Sequence, residues 1–284
     1  MPLTLLGWLQ QEFATIPQLT PWLFGLTLLI SASGFYRTVY FVSIGYAFSI
    51  AAMAVTTLFV FRQDLAWFNL LQNVCLAVYG LRLGTYLLRR EAKSSFSKER
   101  ESITERTADL TFGRKIPMWI GVSLLYVMMF SPSLFSLTTA PRVPAPAATV
   151  LQLLGLALMF GGLGLEALAD AQKSNFKAQN PRQYCDVGLY RWIRCPNYLG
   201  EIMLWIGNWV LGFVFYTSAL QWIASFVGLV CIVLIMMGST KRLEQAQDER
   251  YDAQPAYQKY TRTVPVLFPF LPLYSLKRVK VFLE

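Results

Sequence analysis

Seven apolar stretches recur along this 284-residue chain, at about 19–35, 38–61, 65–88, 116–139, 148–169, 198–217 and 220–238. A hydrocarbon core takes roughly 17–25 residues of helix to cross, so each stretch qualifies as a span. Lipid offers no partner for backbone amides, so these stretches must satisfy their own and fold as helices. Charged residues are 14% of the chain, where soluble domains carry about 25%. The expected fold is an all-α integral membrane protein: one multi-pass membrane domain, a seven-transmembrane-helix bundle with a cofactor and substrate cavity inside it. The apolar start, 1–13, is expected along the interface, and without a basic n-region no cleavable signal peptide is expected.

The connectors assign sides. One alternate set (residue 37, the loops 89–115 and 170–197, and the tail 241–284) holds twenty-two Lys and Arg; the other holds Arg62 and Arg142. Cytoplasmic connectors are the basic ones, which puts the N-terminus outside and the C-terminus in the cytoplasm. The net charge of +9 then lies on the cytoplasmic face, the ordinary pattern of a membrane protein, and no nucleic-acid partner is expected. Basic loops also favour a large soluble anion.

The chain contains no histidine, which removes the commonest general base and metal ligand together. Its four cysteines form no pattern with other ligands, so no metal and no disulfide framework are expected.

Chemistry gathers in the stretch 188–201, a basic aromatic loop that enters a helix through Pro196. Proline suits a first helical position, and the free N–H groups of that turn, beside Arg191 and Arg194, favour an anion. Glu201 follows one turn in, where a carboxylate is costly unless paired or used. Arg82 near the end of the third span and Glu166 near the end of the fifth fall at a similar depth. Tyr79 lies three residues before Arg82 and shares its helix face. The loop 170–197 adds Asp170, Lys173, Asn175, Lys177, Arg182 and Tyr184, a mix suited to phosphate, amide and ribose. No G-x-G-x-x-G follows a strand, so a nucleotide would bind the bundle and its loops rather than a Rossmann domain.

At these residues the chain resembles the steroid 5-alpha-reductase family of membrane-embedded NADPH-dependent reductases, bacterial members included. The likeness is clearest from Asp170 through Asn197-Tyr198-Leu199-Gly200-Glu201 and returns at Tyr79-Gly80-Leu81-Arg82, Tyr86 and Arg262. It covers about the last 215 residues. It implies a seven-helix bundle, here in a bacterial inner membrane, that reduces the Δ4 double bond of a 3-oxo-Δ4-steroid or similar enone lipid, with NADPH as cofactor. Tyr79 would polarise the substrate carbonyl with Arg82 as its catalytic partner, and Tyr46 and Glu166 would line the substrate. Arg82, Asp170, Lys173, Lys177, Tyr184, Arg194, Asn197, Tyr198, Glu201 and Arg242 would hold NADPH, covered by the loop 89–115. A monomer is expected.

Two departures from the family pattern stand out. Cys195 occupies a position where bacterial relatives carry histidine. It is open to two roles: a redox thiol whose pKa the loop cations would lower, or a filler of the histidine's space. The family's acidic partner for the tyrosine has no Glu counterpart in the second span, where Tyr40 and Tyr46 lie. Alternative readings are an S-adenosylmethionine-dependent methyltransferase related to isoprenylcysteine methyltransferase, which shares an Arg-x-Pro-x-Tyr-x-Gly pattern, and a non-catalytic sterol- or lipid-binding membrane protein.

Overall fold

Helix α4, Trp67–Glu91, shows how this chain is built, because its polar side chains face inward. Asn69, Gln72, Asn73 and Tyr79 are buried, while Leu70, Leu71, Val78, Leu81 and Leu88 are exposed. A soluble helix has the opposite pattern, and hydrocarbon is the solvent that rewards this one. The computed structural model describes residues 5–92 and 111–279. The expectation that the loop 89–115 covers a cofactor falls mostly outside the described residues.

The helices in order are α1 (Leu5–Ala14), α2 (Thr20–Ser31), α3 (Ile44–Val60), α4, α5 (Phe112–Thr138), α6 (Ala145–Gln179), α7 (Pro196–Gly212), α8 (Ala219–Tyr251) and α9 (Pro255–Thr263). Short 3-10 turns at Ala32–Phe35 and Thr38–Phe41 fold the connector between α2 and α3. No strand occurs among the described residues. Four segments are long and apolar enough to cross a membrane: Thr38–Val60, Phe112–Thr138, Ala145–Gln179 and Ala219–Tyr251. Helix α4 has the length, but its inward polar residues lower its hydropathy, and α7 is 17 residues long. Two expected boundaries move. Residues 170–179 continue α6 rather than opening a loop, and α8 runs on to Tyr251, so the tail begins as helix.

The chain divides into two compact units, Met1–Leu156 with Asn208–Gly228, and Ala157–Gly207 with Leu229–Glu284. The first is held by a buried polar network. Thr57 and Ser133 both donate to Asn73 Oδ1, at 3.0 and 2.8 Å. Asn69 Nδ2 donates to the Ser136 hydroxyl, which reaches Gln72 Oε1, and Gln72 Nε2 donates to Asn208 Oδ1. Such bonds between helices stand in for the hydrophobic drive that lipid removes. Pro132 inside α5 leaves the Met128 carbonyl without its helical donor, and the Ser131 hydroxyl supplies one at 2.8 Å.

Contacts within this unit also sort its ends. Arg37 pairs with Glu91 at 3.1 Å, joining the α2–α3 connector to the end of α4. Thr15 bonds Ser218, Glu12 accepts the Leu220 N–H, and the Arg142 N–H donates to the Val214 carbonyl. Phe61, at the turn into α4, lines one cleft with Thr15, Thr138 and Thr217, at the end of α4 away from Glu91.

In the second unit α6 and α7 touch backbone to backbone. A Cβ on Gly162 would fall 2.4 Å from the Gly200 carbonyl oxygen, and one on Gly200 would fall 2.7 Å from the Glu166 nitrogen. The loop after α6 is latched to it at Gly188, whose φ of +59° suits glycine. There the Leu189 N–H donates to Gln172 Oε1 at 2.9 Å.

Candidate functional site

The first unit carries Tyr46, Tyr79 and Arg82. Gly80 lets α3 close on α4, since a Cβ there would lie 2.4 Å from the Ala47 carbonyl oxygen. That approach sets the Tyr46 hydroxyl 2.8 Å from the Tyr79 hydroxyl, both rings buried. The Tyr126 ring packs 5.4 Å from that of Tyr46, and its hydroxyl donates to the Phe41 carbonyl. Arg82 is half-buried one turn along α4. Of the two tyrosines in the neighbourhood of the missing carboxylate, Tyr46 meets Tyr79, whereas Tyr40 reaches toward Glu91 at 3.5 Å. Tyr46, expected against substrate, is thus hydrogen-bonded to the residue expected to activate it.

The second unit carries the other expected positions. Glu166, Asp170, Lys173 and Lys177 follow one another at steps of four, three and four residues, so they share one face of α6. Glu166, Asp170 and Glu201 are buried; Tyr198 is half-buried, and Arg242, bonded to the Ser239 hydroxyl, is exposed. Asn197, in the first turn of α7, holds its Oδ1 buried with no hydrogen-bond partner. A buried acceptor left this way costs free energy until a donor reaches it.

Three positions from the expected nucleotide set are occupied by the protein itself. The Arg194 guanidinium pairs with Glu244 at 2.8 Å, with both side chains buried, and also bonds the Val264 and Tyr274 carbonyls. Lys177 Nζ bonds the Tyr251 hydroxyl at 2.7 Å and the carbonyls of Pro181 and Gln183. The Tyr184 ring packs against Tyr251, Tyr257 and Tyr260. These three fasten the tail, and an anion would have to displace Glu244 to reach Arg194. Glu244 and α9 were not singled out in the sequence, where nothing local marks a residue 50 positions from its partner.

Cys195 is buried, with its N–H donating to the Val266 carbonyl. Burial pushes its thiol up to about 11, against the opposing pull of Lys173 and Arg194. The loop cations therefore do not make a reactive thiolate of it at neutral pH.

These features define a helical membrane protein with a buried phenol pair in its first unit and buried carboxylates and an unsatisfied amide in its second. Residues 31–264 match the DUF1295 family, described as a protein of unknown function, and the chain belongs to that family. It is similar to an uncharacterised protein of Schizosaccharomyces pombe, 35% identical over 91 residues, or 32% of this chain and 25% of that one. The match thus spans about a quarter of that relative's length. No solved structure matches the chain.

Proposed function

We propose that this protein reduces the carbon–carbon double bond of an enone lipid, such as a 3-oxo-Δ4-steroid, with NADPH. The carrying observation is the Tyr46–Tyr79 hydroxyl pair, 2.8 Å apart with both rings buried. With Tyr46 donating to the Tyr79 oxygen, the Tyr79 proton is aimed at a substrate carbonyl. As negative charge grows on that carbonyl oxygen, the phenol and the Arg82 charge stabilise it in a medium of low dielectric. NADPH, when bound, would supply hydride to the β carbon, and a proton from solvent taken up at the α carbon would complete the saturated ketone.

The unsatisfied Asn197 Oδ1 fits an amide donor such as a carboxamide, and Asp170 and Glu201 offer acceptors for ribose hydroxyls. Of the five cations in the expected set, Lys177 and Arg194 hold the tail, which leaves Arg82, Lys173 and Arg242 as candidates for the phosphates. Seven spans with both basic loops and the tail in the cytoplasm, where NADPH is available, complete the reading. The pairing of Arg37 with Glu91, both at ends read as cytoplasmic, agrees with that alternation. Titrating the purified protein in lipid nanodiscs with NADPH should give saturable energy transfer from tryptophan to the nicotinamide. Absence of transfer, with saturable S-adenosylmethionine binding instead, would overturn the reading in favour of methyl transfer.

A further inference from the structure

Helix α8 serves as a depth scale for the tail, because successive residues along it are bonded to successive parts of the second unit. Its apolar run ends at Gly238. The Thr240 hydroxyl, which donates to the Met236 carbonyl, lies beside the Cys195 sulfur, and Lys241 Nζ bonds the Val279 carbonyl at 3.3 Å. Glu244 accepts from Arg194 and from the Leu276 N–H, Asp248 accepts from the Tyr257 hydroxyl, and Tyr251 meets Lys177. At 1.5 Å per residue, Thr240 stands about 3 Å beyond the apolar run and Tyr251 about 20 Å beyond it.

The chain from α9 returns down this scale. Arg194 and Cys195 donate their N–H groups to the carbonyls of Pro265 and Val266, which brings residue 266 to the level of Thr240. There the Val266 N–H donates to the Leu273 carbonyl at 2.9 Å and closes a loop. Val266 and Leu267 at its base are fully buried, yet Phe270 at its tip is 95% exposed and Leu271 is 55% exposed. Pro265, Pro269 and Pro272 stiffen it, so the tip is held out rather than collapsed onto the protein. Trp192, two residues before Arg194, is also largely exposed, and exposed cations follow one another in sequence beside each segment, Arg191 next to Trp192 and Lys277 and Arg278 after the loop.

A stiff loop that presents a phenylalanine to water has no folding rationale. At the edge of an apolar span, beside cations, the same loop meets the headgroup boundary. We propose that the loop 266–273 is an interfacial anchor, inserting Phe270 and Leu271 into the leaflet at the Lys241 end of α8 while Arg278 and Arg191 meet anionic lipid phosphates. Aromatic and aliphatic side chains with flanking cations are the combination that binds this boundary. The inference does not depend on the reaction proposed above.

The test uses the full chain carrying Cys231→Ser, with a spin label at Phe270→Cys or, for comparison, at Lys259→Cys on the exposed face of α9. The protein is placed in vesicles of phosphatidylethanolamine and phosphatidylglycerol. Accessibility to oxygen, which concentrates in lipid, is read against accessibility to a water-soluble nickel chelate. The oxygen-to-nickel ratio at 270 should exceed that at 259 several-fold, and Leu271→Cys should follow 270. Equal ratios at 270 and 259 would put the loop in water and overturn the proposal. Low accessibility to both reagents at 270 would show a protein contact there and overturn it equally.

Discussion

Replacing Tyr79 by phenylalanine should lower kcat for enone reduction by about 10²- to 10³-fold, the cost of removing a donor from a developing oxyanion. Nucleotide affinity should be unchanged, because Tyr79 is not among the expected nucleotide contacts. The phenyl ring keeps the packing of a side chain that is fully buried, so the fold should persist and the loss should be chemical. Tyr46→Phe removes the bond that aims the Tyr79 hydroxyl. A hydrogen bond worth about 1 kcal/mol sets its expected effect near tenfold, and the double variant should be no worse than Tyr79→Phe alone. Single-turnover kinetics on the four proteins reads this directly. Equal activity in Tyr79→Phe and the parent would remove the phenol pair from the mechanism.

The largest effect on stability should come from the Arg194–Glu244 pair. Removing one partner of a buried ion pair leaves an uncompensated charge and costs roughly 3–5 kcal/mol. Arg194→Ala also strands the Val264 and Tyr274 carbonyls, and Glu244→Ala strands the Leu276 N–H, so either should free the tail from α8. Replacing both together, Arg194→Met with Glu244→Leu, should recover part of the loss, because two charges leave with no partner left behind. Thermal unfolding in nanodiscs without nucleotide measures all three. If Arg194→Ala unfolded like the parent but bound NADPH poorly, Arg194 would be a phosphate ligand and its tail-anchoring role would be wrong.

Hydropathy made the helices legible, because lipid leaves an apolar run no other fold: the run at 116–139 falls on Phe112–Thr138 but for its last residue, and that at 220–238 lies inside Ala219–Tyr251. It could not show that α6 and α8 continue past their apolar runs, since a solvated helix carries no such signal. Tyr79 stood out by its spacing from Arg82. Its contact with Tyr46 depends on a helix crossing at Gly80, which no pattern within either span encodes. The role of Arg194 was legible only as charge. Lys, Arg and aromatics in a loop read alike whether they await an anion or hold a tail, and the deciding residue, Glu244, is distant in the chain. For Cys195 too, the neighbouring cations are visible in the sequence and its burial is not.

The most direct test of the central claim is transfer of a label. The protein in nanodiscs would be given NADPH carrying deuterium at the transferable position of its nicotinamide, together with a 3-oxo-Δ4-steroid. Enone reduction predicts a saturated ketone heavier by one deuterium, located at the β carbon, and none from Tyr79→Phe at the same exposure. Folded protein that binds NADPH yet leaves both the double bond and the deuterium in place with this and other enone lipids would contradict it.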